Sequence, residues 1–194
     1  MAISYPLSLP TSIGIASITF GAENAVAISS SPFTYAQQVV QHPGQRWTAS
    51  VTLPPLRRDL MEPWVAFLLS LKGQYGTFLL GDPNAKSPRG TATSATLTGS
   101  AGSESPTITM TGTLLAGDYI QLGSSSTSTL HKVLVDRSGT GTLEIWPKLR
   151  SSVTGATVTL TNTVGKFRLA RNVQQWEINN MSNYGINFDC VEAL

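Results

Sequence analysis

The chain has 194 residues, enough to bury one large core or two small ones. Only 12% of them are charged, against about 25% in ordinary soluble domains. Formal net charge is +2 and no basic run is longer than Arg57-Arg58, so the stripe or patch of a nucleic-acid binder is missing.

Ser, Thr and Gly stand where charge would be expected, which suits a subunit packed among neighbours, because interface cores are depleted of charge. A β-rich monomer with an uncharged polar surface is the other reading. At the N-terminus no basic residue precedes the first apolar stretch, and Pro6 and Pro10 interrupt it, so no signal peptide is expected. No apolar run approaches the length of a membrane span. The expectation is a soluble protein made in the cytoplasm.

The first fifty residues read as a β-meander. Ile13, Ile15, Ile18 and Phe20 predict a strand, Gly21 to Asn24 a turn, and Tyr35 to Val40 another strand ahead of His42-Pro43-Gly44, which has turn chemistry. In Arg46 to Leu53, Trp47, Ala49, Val51 and Leu53 alternate with Thr48, Ser50 and Thr52, the period of a strand with one buried face. Pro54-Pro55 stops it. Arg57-Arg58 reads as two solvated charges just before a helix.

That helix is predicted over about 59–72. Leu60, Trp64, Phe67, Leu68 and Leu71 recur at steps of three and four and line one face. Asp59 and Glu62 have capping-box spacing, Pro63 falls in the first turn, and Gly73 ends the element. Val65, Ala66 and Leu69 leave the opposite face poor in charge, so the helix is apolar on more than one side. This makes Val65 and Leu69 candidate subunit-interface residues.

After Gly81-Asp82-Pro83 the texture changes. Asn84 to about Thr111 is mostly Thr, Ser, Gly and Ala, a linker or a run of thin strands. Short apolar bursts follow at Tyr119-Ile120, Val133–Val135, Leu143–Trp146 and Val158–Leu160, at the spacing of a small antiparallel sandwich or barrel. Gly139-Thr140-Gly141 reads as a hairpin turn between two of these strands. From Phe167 the aromatic-rich texture of the first eighty residues returns. The pattern predicts a small β-domain, residues 84–164, inserted in a loop of a discontinuous domain made of 1–83 and 165–194. A single continuous β-fold is the alternative.

Chemistry-bearing groups are sparse. Neither His42 nor His131 has a Cys, Asp or Glu at ligand spacing, so no metal site is expected; His42 reads as an exposed turn residue, His131 as solvated or hydrogen-bonded. Asp118 and Asp136 have turn explanations, and nothing singles out a glycosidase pair such as Asp118 with Glu144. No phosphate-cradling loop and no nucleophile elbow is present. The lone Cys190 reads as a small buried hydrophobe. The expectation is no enzyme and no cofactor. Trp146 in Ile145-Trp146-Pro147 is a candidate surface-binding residue, an exposed ring that would stack on a sugar or a partner; the competing reading is a core-facing or edge-covering side chain. Trp47, Trp64 and Trp176 are assigned to a shared core beneath the helix.

Three stretches carry a family likeness: Trp47-Thr-Ala-Ser-Val-Thr-Leu-Pro-Pro55, Trp64-Val-Ala-Phe-Leu-Leu-Ser-Leu-Lys-Gly73 and Thr77-Phe-Leu-Leu-Gly-Asp-Pro83. They resemble the tube domain of tail proteins from long-tailed bacteriophages, and most of all the distal tail protein. Gly117–Gly123, Leu130–Val133, Leu143–Arg150 and Phe167–Ala170 are similar to a β-domain carried by such proteins in phages of Gram-negative hosts.

The resemblance implies a mainly β protein: a tail-tube-like β-sandwich flanked by one α-helix, with an inserted small β-barrel or sandwich. It implies a hexameric ring at the host-facing end of the tail, with the tail tube protein and the tail hub protein as partners. Genomic DNA would pass transiently and non-specifically through the channel, and the site of action would be the tail tip of the virion. Many relatives carry a larger C-terminal domain of carbohydrate-binding appearance, whereas here thirty residues follow Val164. A tail-tube or tail-terminator ring protein, and a carbohydrate-binding or adhesin module of the tail tip, are the alternatives.

Overall fold

The computed structural model describes residues 3–12, 14–178 and 183–194. The N-terminal part comprises β1 (Ser17–Ser30), β2 (Gln37–Thr52), β3 (Leu56–Arg57), α1 (Arg58–Ser70) and β4 (Phe78–Leu80). The middle comprises β5 (Ala95–Gly99), β6 (Thr107–Met110), β7 (Thr113–Leu114), β8 (Tyr119–Leu122), β9 (Thr129–Val133), β10 (Arg137–Ser138), β11 (Gly141–Thr142), β12 (Ile145–Trp146) and β13 (Val153–Thr159). The chain closes with β14 (Gly165–Leu169), β15 (Trp176–Ile178) and β16 (Asn183–Glu192). The protein is mainly β, with curled antiparallel sheets and, among the described residues, one α-helix.

Two sheets of seven strands account for most of the fold. The first runs β1-β2-β16-β14-β4, with β3 and β15 also on β16; the second runs β11-β6-β5-β13-β8-β9-β12. The middle of the chain leaves the first sheet at β4 and returns at β14, where Leu80 pairs directly with Gly165. Each sheet has its own core. Trp47, Val51, Trp64, Phe78, Phe167 and Phe188 belong to one, Leu97, Ile108, Leu114, Ile120 and Ile145 to the other. Tyr119 and Leu130 of the middle segment join the first core, so the two bodies share a packed boundary.

Alternation buries Trp47, Ala49, Val51 and Leu53, as the sequence pattern predicts. Trp47, assigned from the sequence to the core beneath the helix, packs instead against Phe20, Tyr119 and Trp146 at the boundary with the middle segment. The helix begins at Arg58 rather than Asp59 and ends at Ser70, followed by left-handed Lys72 and Gly73. The expected capping box is not formed. Arg57 is the N-cap and makes no side-chain cap, while Asp59 lies inside the first turn where its charge complements the helix dipole. Pro63 is therefore in the second turn, not the first. Trp64, Phe67, Leu68 and Leu71 of the predicted stripe are buried; Met61 and Val65 widen it, and Leu60 faces out. Five side chains, Met61, Trp64, Val65, Phe67 and Leu68, make that face, each worth about 1.5–3 kcal/mol of gross burial.

Two predicted turns are strand instead. Gly21 to Asn24 lies inside β1, and a Cβ at Gly21 would come within 2.4 Å of Thr48 Oγ1 across the ladder, so a larger residue there would make the Thr48 side chain turn. His42-Pro43-Gly44 lies inside β2 and forms a bulge, three residues opposite the single Ala25. Ile13, assigned to the first strand, falls outside the described residues. Gly139 and Thr140 do connect two strands, but not as a hairpin, since β10 pairs with β7 and β11 with β6.

Candidate functional site

The feature that sets this molecule apart is the outer length of the β1–β2 hairpin. From Ala22 to Gly44 every residue except Ser31 is exposed, on both faces of the ribbon. Six steps from Asn24 to Ser30 at about 3.4 Å carry it roughly 20 Å beyond the packed body. Its tip presents Phe33, 92% exposed, and Tyr35.

Both edges of this arm are unpaired among the described residues. β1 has β2 as its one sheet neighbour, and β2 meets β16 from Thr48 to Thr52 and no further out. Between Asn24 and Gln45 there is no Asp, Glu, Lys or Arg. Monomeric proteins guard exposed edges with charge, Pro or short strands. Here Pro43 in the bulge is the one such guard within the strands of the arm.

Register divides the ribbon into two faces, because directly paired residues point the same way. Val26 with Gln41, Ile28 with Val39 and Ser30 with Gln37 share one face; Ala27 with Val40 and Ser29 with Gln38 share the other. The first face continues the side of Asn24, Gln45 and Trp47 and holds exposed Val26, Ile28 and Val39. At the root, Arg46 Nε donates to Glu23 Oε2 at 2.6 Å, which holds the Glu23 carboxyl below its usual range and raises Arg46. This solvated pair neutralises the two charges nearest the arm.

The three residues singled out from the sequence are not brought together. Val65 is 6% exposed within the core, so it has no surface to offer a neighbour; Leu69, one turn on, is 60% exposed. Trp146 is not an open stacking platform. Its ring meets Trp47 edge-on at 4.5 Å between centroids and its Nε1 donates to Asn24 Oδ1 at 2.8 Å, so it bridges β12 and the arm root. The arm itself was missed, because Gly21 and His42-Pro43-Gly44 read as turns; the uncharged run from Asn24 to Gln45 was the available signal.

The buried ionisable groups are engaged in holding the fold. Asp118 accepts backbone N–H groups from Arg89 at 2.9 Å, Gly90 at 3.3 Å and Leu115 at 2.9 Å. Glu192 accepts the backbone N–H of Trp47 at 3.1 Å and Arg150 Nη2 at 2.6 Å. Cys190 is buried, its thiol pushed up to about 12 chiefly by desolvation. Among the described residues no cluster of His, Cys, Asp and Glu fit to hold a metal occurs, and no helix is long and apolar enough to cross a membrane.

His131 is fully buried. Its Nδ1–H donates to the Pro147 carbonyl at 2.6 Å, and its Nε2 accepts from the Thr129 hydroxyl at 3.0 Å, so the neutral ring is satisfied at both ends. Burial, aided by the Arg150 charge, lowers its pKa to about 4. The unfolded chain, at about 6.5, takes up the proton first as pH falls. The stabilisation is complete above pH 6.5 and is lost towards pH 4, a decrease of roughly 3 kcal/mol. Urea unfolding at pH 7 and pH 4 should show it, and His131→Gln should flatten the dependence.

A second feature is an open cleft of about 780 Å³ where the Gln174–Glu177 segment, β16 and the end of β2 meet, lined by Gln174, Gln175, Trp176 and Asn187 together with Leu53 and Ile186. It carries three side-chain amides and one indole beside these apolar residues.

Fold and site together define a mainly β protein that projects an uncharged, two-edged hairpin arm. No protein-family model matches this chain, and a search of curated proteins finds no match.

Proposed function

We propose that this chain is a structural ring subunit of the tail tip of a long-tailed bacteriophage, a distal tail protein joining the tail tube to the hub. The arm is the observation that carries this reading. A two-stranded ribbon exposed on both faces is marginal alone in water, and from Asn24 to Gln45 this one has no Asp, Glu, Lys or Arg to keep other chains off. Pairing the free β1 edge of one copy with the free β2 edge of the next is a heterologous contact, which closes into a ring when the rotation permits. Repeated around a ring, such hairpins make a continuous wall. Its face bearing Ala27, Ser29, Gln38 and Val40 has no cation to retain a phosphate backbone. That suits a channel for transient, non-specific passage of genomic DNA.

In this reading the tail tube protein and the hub protein are the axial partners, the virion is the place of action, and the role is assembly rather than catalysis. A tail-tube or tail-terminator ring would use the same arm chemistry. The cleft beside Trp176 favours a second reading, a carbohydrate-binding module of the tail tip.

Negative-stain microscopy with light scattering on the purified protein is the test. Six-membered rings with an open centre support the ring reading. A persistent monomer that is retained on a glycan array, with retention lost in Trp176→Ala, overturns it in favour of the second.

A further inference from the structure

The arm is gripped at its root. Gln45, 6% exposed, spends its whole side-chain amide on the second body: Nε2 donates to Glu104 Oε1 at 2.8 Å, and Oε1 accepts the Lys148 backbone N–H at 2.8 Å. Asn24, its direct partner across the β1–β2 ladder, accepts the Trp146 indole N–H at 2.8 Å. Glu104 precedes β6, while Trp146 and Lys148 flank the end of β12, so one surface of the second body holds one cross-strand pair. The bulge of Ala25 against His42-Pro43-Gly44 lies immediately beyond, and past it the ribbon touches nothing that fixes its direction.

We propose that the segment between β4 and β14 acts as a clamp on the hairpin arm, with Gln45, Asn24 and Trp146 as the positioning residues that set the angle at which the arm leaves the body. Burying the Gln45 amide requires that both ends be satisfied, and the two bonds it makes are directional, so rotation of the root breaks one of them. Trp146 adds a rigid ring wedged against Trp47. A head-to-tail contact closes only at the correct rotation, and every copy must present its arm alike. The clamp explains why a subunit with so exposed an arm carries a second β-body at its base. The link from arm angle to ring closure rests on the ring reading above; the clamp does not.

The test is a pair of nitroxide labels at Ser29→Cys on the arm and Ala66→Cys on α1, diluted with unlabelled protein and measured by double electron–electron resonance. Native Cys190 is buried with its thiol far above working pH, so it stays unlabelled. The parent should give one narrow distance distribution. Gln45→Met with Trp146→Phe, which keeps volume and an aromatic ring but removes the three bonds, should broaden it about twofold or more at an unchanged far-ultraviolet spectrum. Asn24→Ala, at an exposed position, provides a milder variant whose folding is not at stake and should broaden it less. An unchanged width in the folded variants overturns the clamp. Light scattering on the same samples reads the ring separately: a parent that never assembles overturns the ring reading while the distance widths still decide the clamp.

Discussion

In the ring reading, replacing Ile28 and Val39 together by lysine should abolish assembly while leaving the subunit folded. The two residues are direct cross-strand partners on the apolar face of the arm, and both are well exposed in the single chain. Exposed substitutions away from caps and cores usually change stability by less than about 0.5 kcal/mol, so the melting curve should not move. Assembly is different. Edge pairing in that reading sets the same face of successive arms side by side, so each copy adds two lysines to one continuous row, and like charges juxtaposed at an interface cost several kcal/mol. The expected loss of affinity is more than about 100-fold, equivalent to roughly 3 kcal/mol. Light scattering across a concentration series reads it directly. Rings of undiminished stability would show that this face of the arm is not an assembly surface.

The second large effect is expected at Trp47, which joins the two bodies. Its ring lies 4.5 Å from Trp146, 5.9 Å from Phe20 and 6.1 Å from Tyr119, centroid to centroid. Its Nε1 donates to the Leu130 carbonyl at 2.8 Å, and its backbone N–H reaches Glu192, which Arg150 of the middle segment also holds. Trp47→Ala removes a buried indole from a boundary built by four chain segments, where collapse to fill the space would have to move both sheets. The cost should be about 3–5 kcal/mol, a large part of the stability of an ordinary domain. Trp47→Phe keeps most of the packing and loses the N–H donor, so about 1–2 kcal/mol is expected. Urea midpoints with an unchanged m-value measure both. A loss below about 1 kcal/mol for Trp47→Ala would mean that the boundary is carried by the polar contacts instead.

Arg150 and Glu192 show why that boundary resists simple trimming. Glu192 is buried and accepts from both bodies, so removing Arg150 would leave a carboxylate with half its partners in a place poor in water. The aromatic cluster and this ion pair sit on neighbouring residues of one seam, and their contributions should not add independently.

What was legible in the sequence was local. The helix follows from the three- and four-residue spacing of Trp64, Phe67, Leu68 and Leu71, and the inner half of β2 from the alternation of Trp47 to Leu53, because each pattern is generated by backbone geometry alone. Burial of Cys190 followed in the same way from its place in an alternating strand. Side-chain periodicity does not say how wide a stripe will be covered, which is why Val65 and Met61 are core and Leu60 is not: the elements that close over α1 decide that.

The arm and its clamp belonged to the tertiary structure. Glycine and proline are the strongest turn formers, so Gly21 and His42-Pro43-Gly44 read as turns from their neighbours alone. In the fold Gly21 sits inside the ladder with the Thr48 hydroxyl close against it, and Pro43 is tolerated because it lies in a bulge on an unpaired edge. Trp146 beside Pro147 reads from its neighbours first as a core-facing or edge-covering ring, as it is; that it covers Asn24 and Trp47, more than ninety positions away in the chain, shows only in the fold. The sequence by itself determined the class of fold, the helix and the alternating strands, since these depend on residues a few positions apart. Which edges stay open, which apolar residues stay bare and what grips the arm depend on contacts between distant segments, and only the folded chain brings those together.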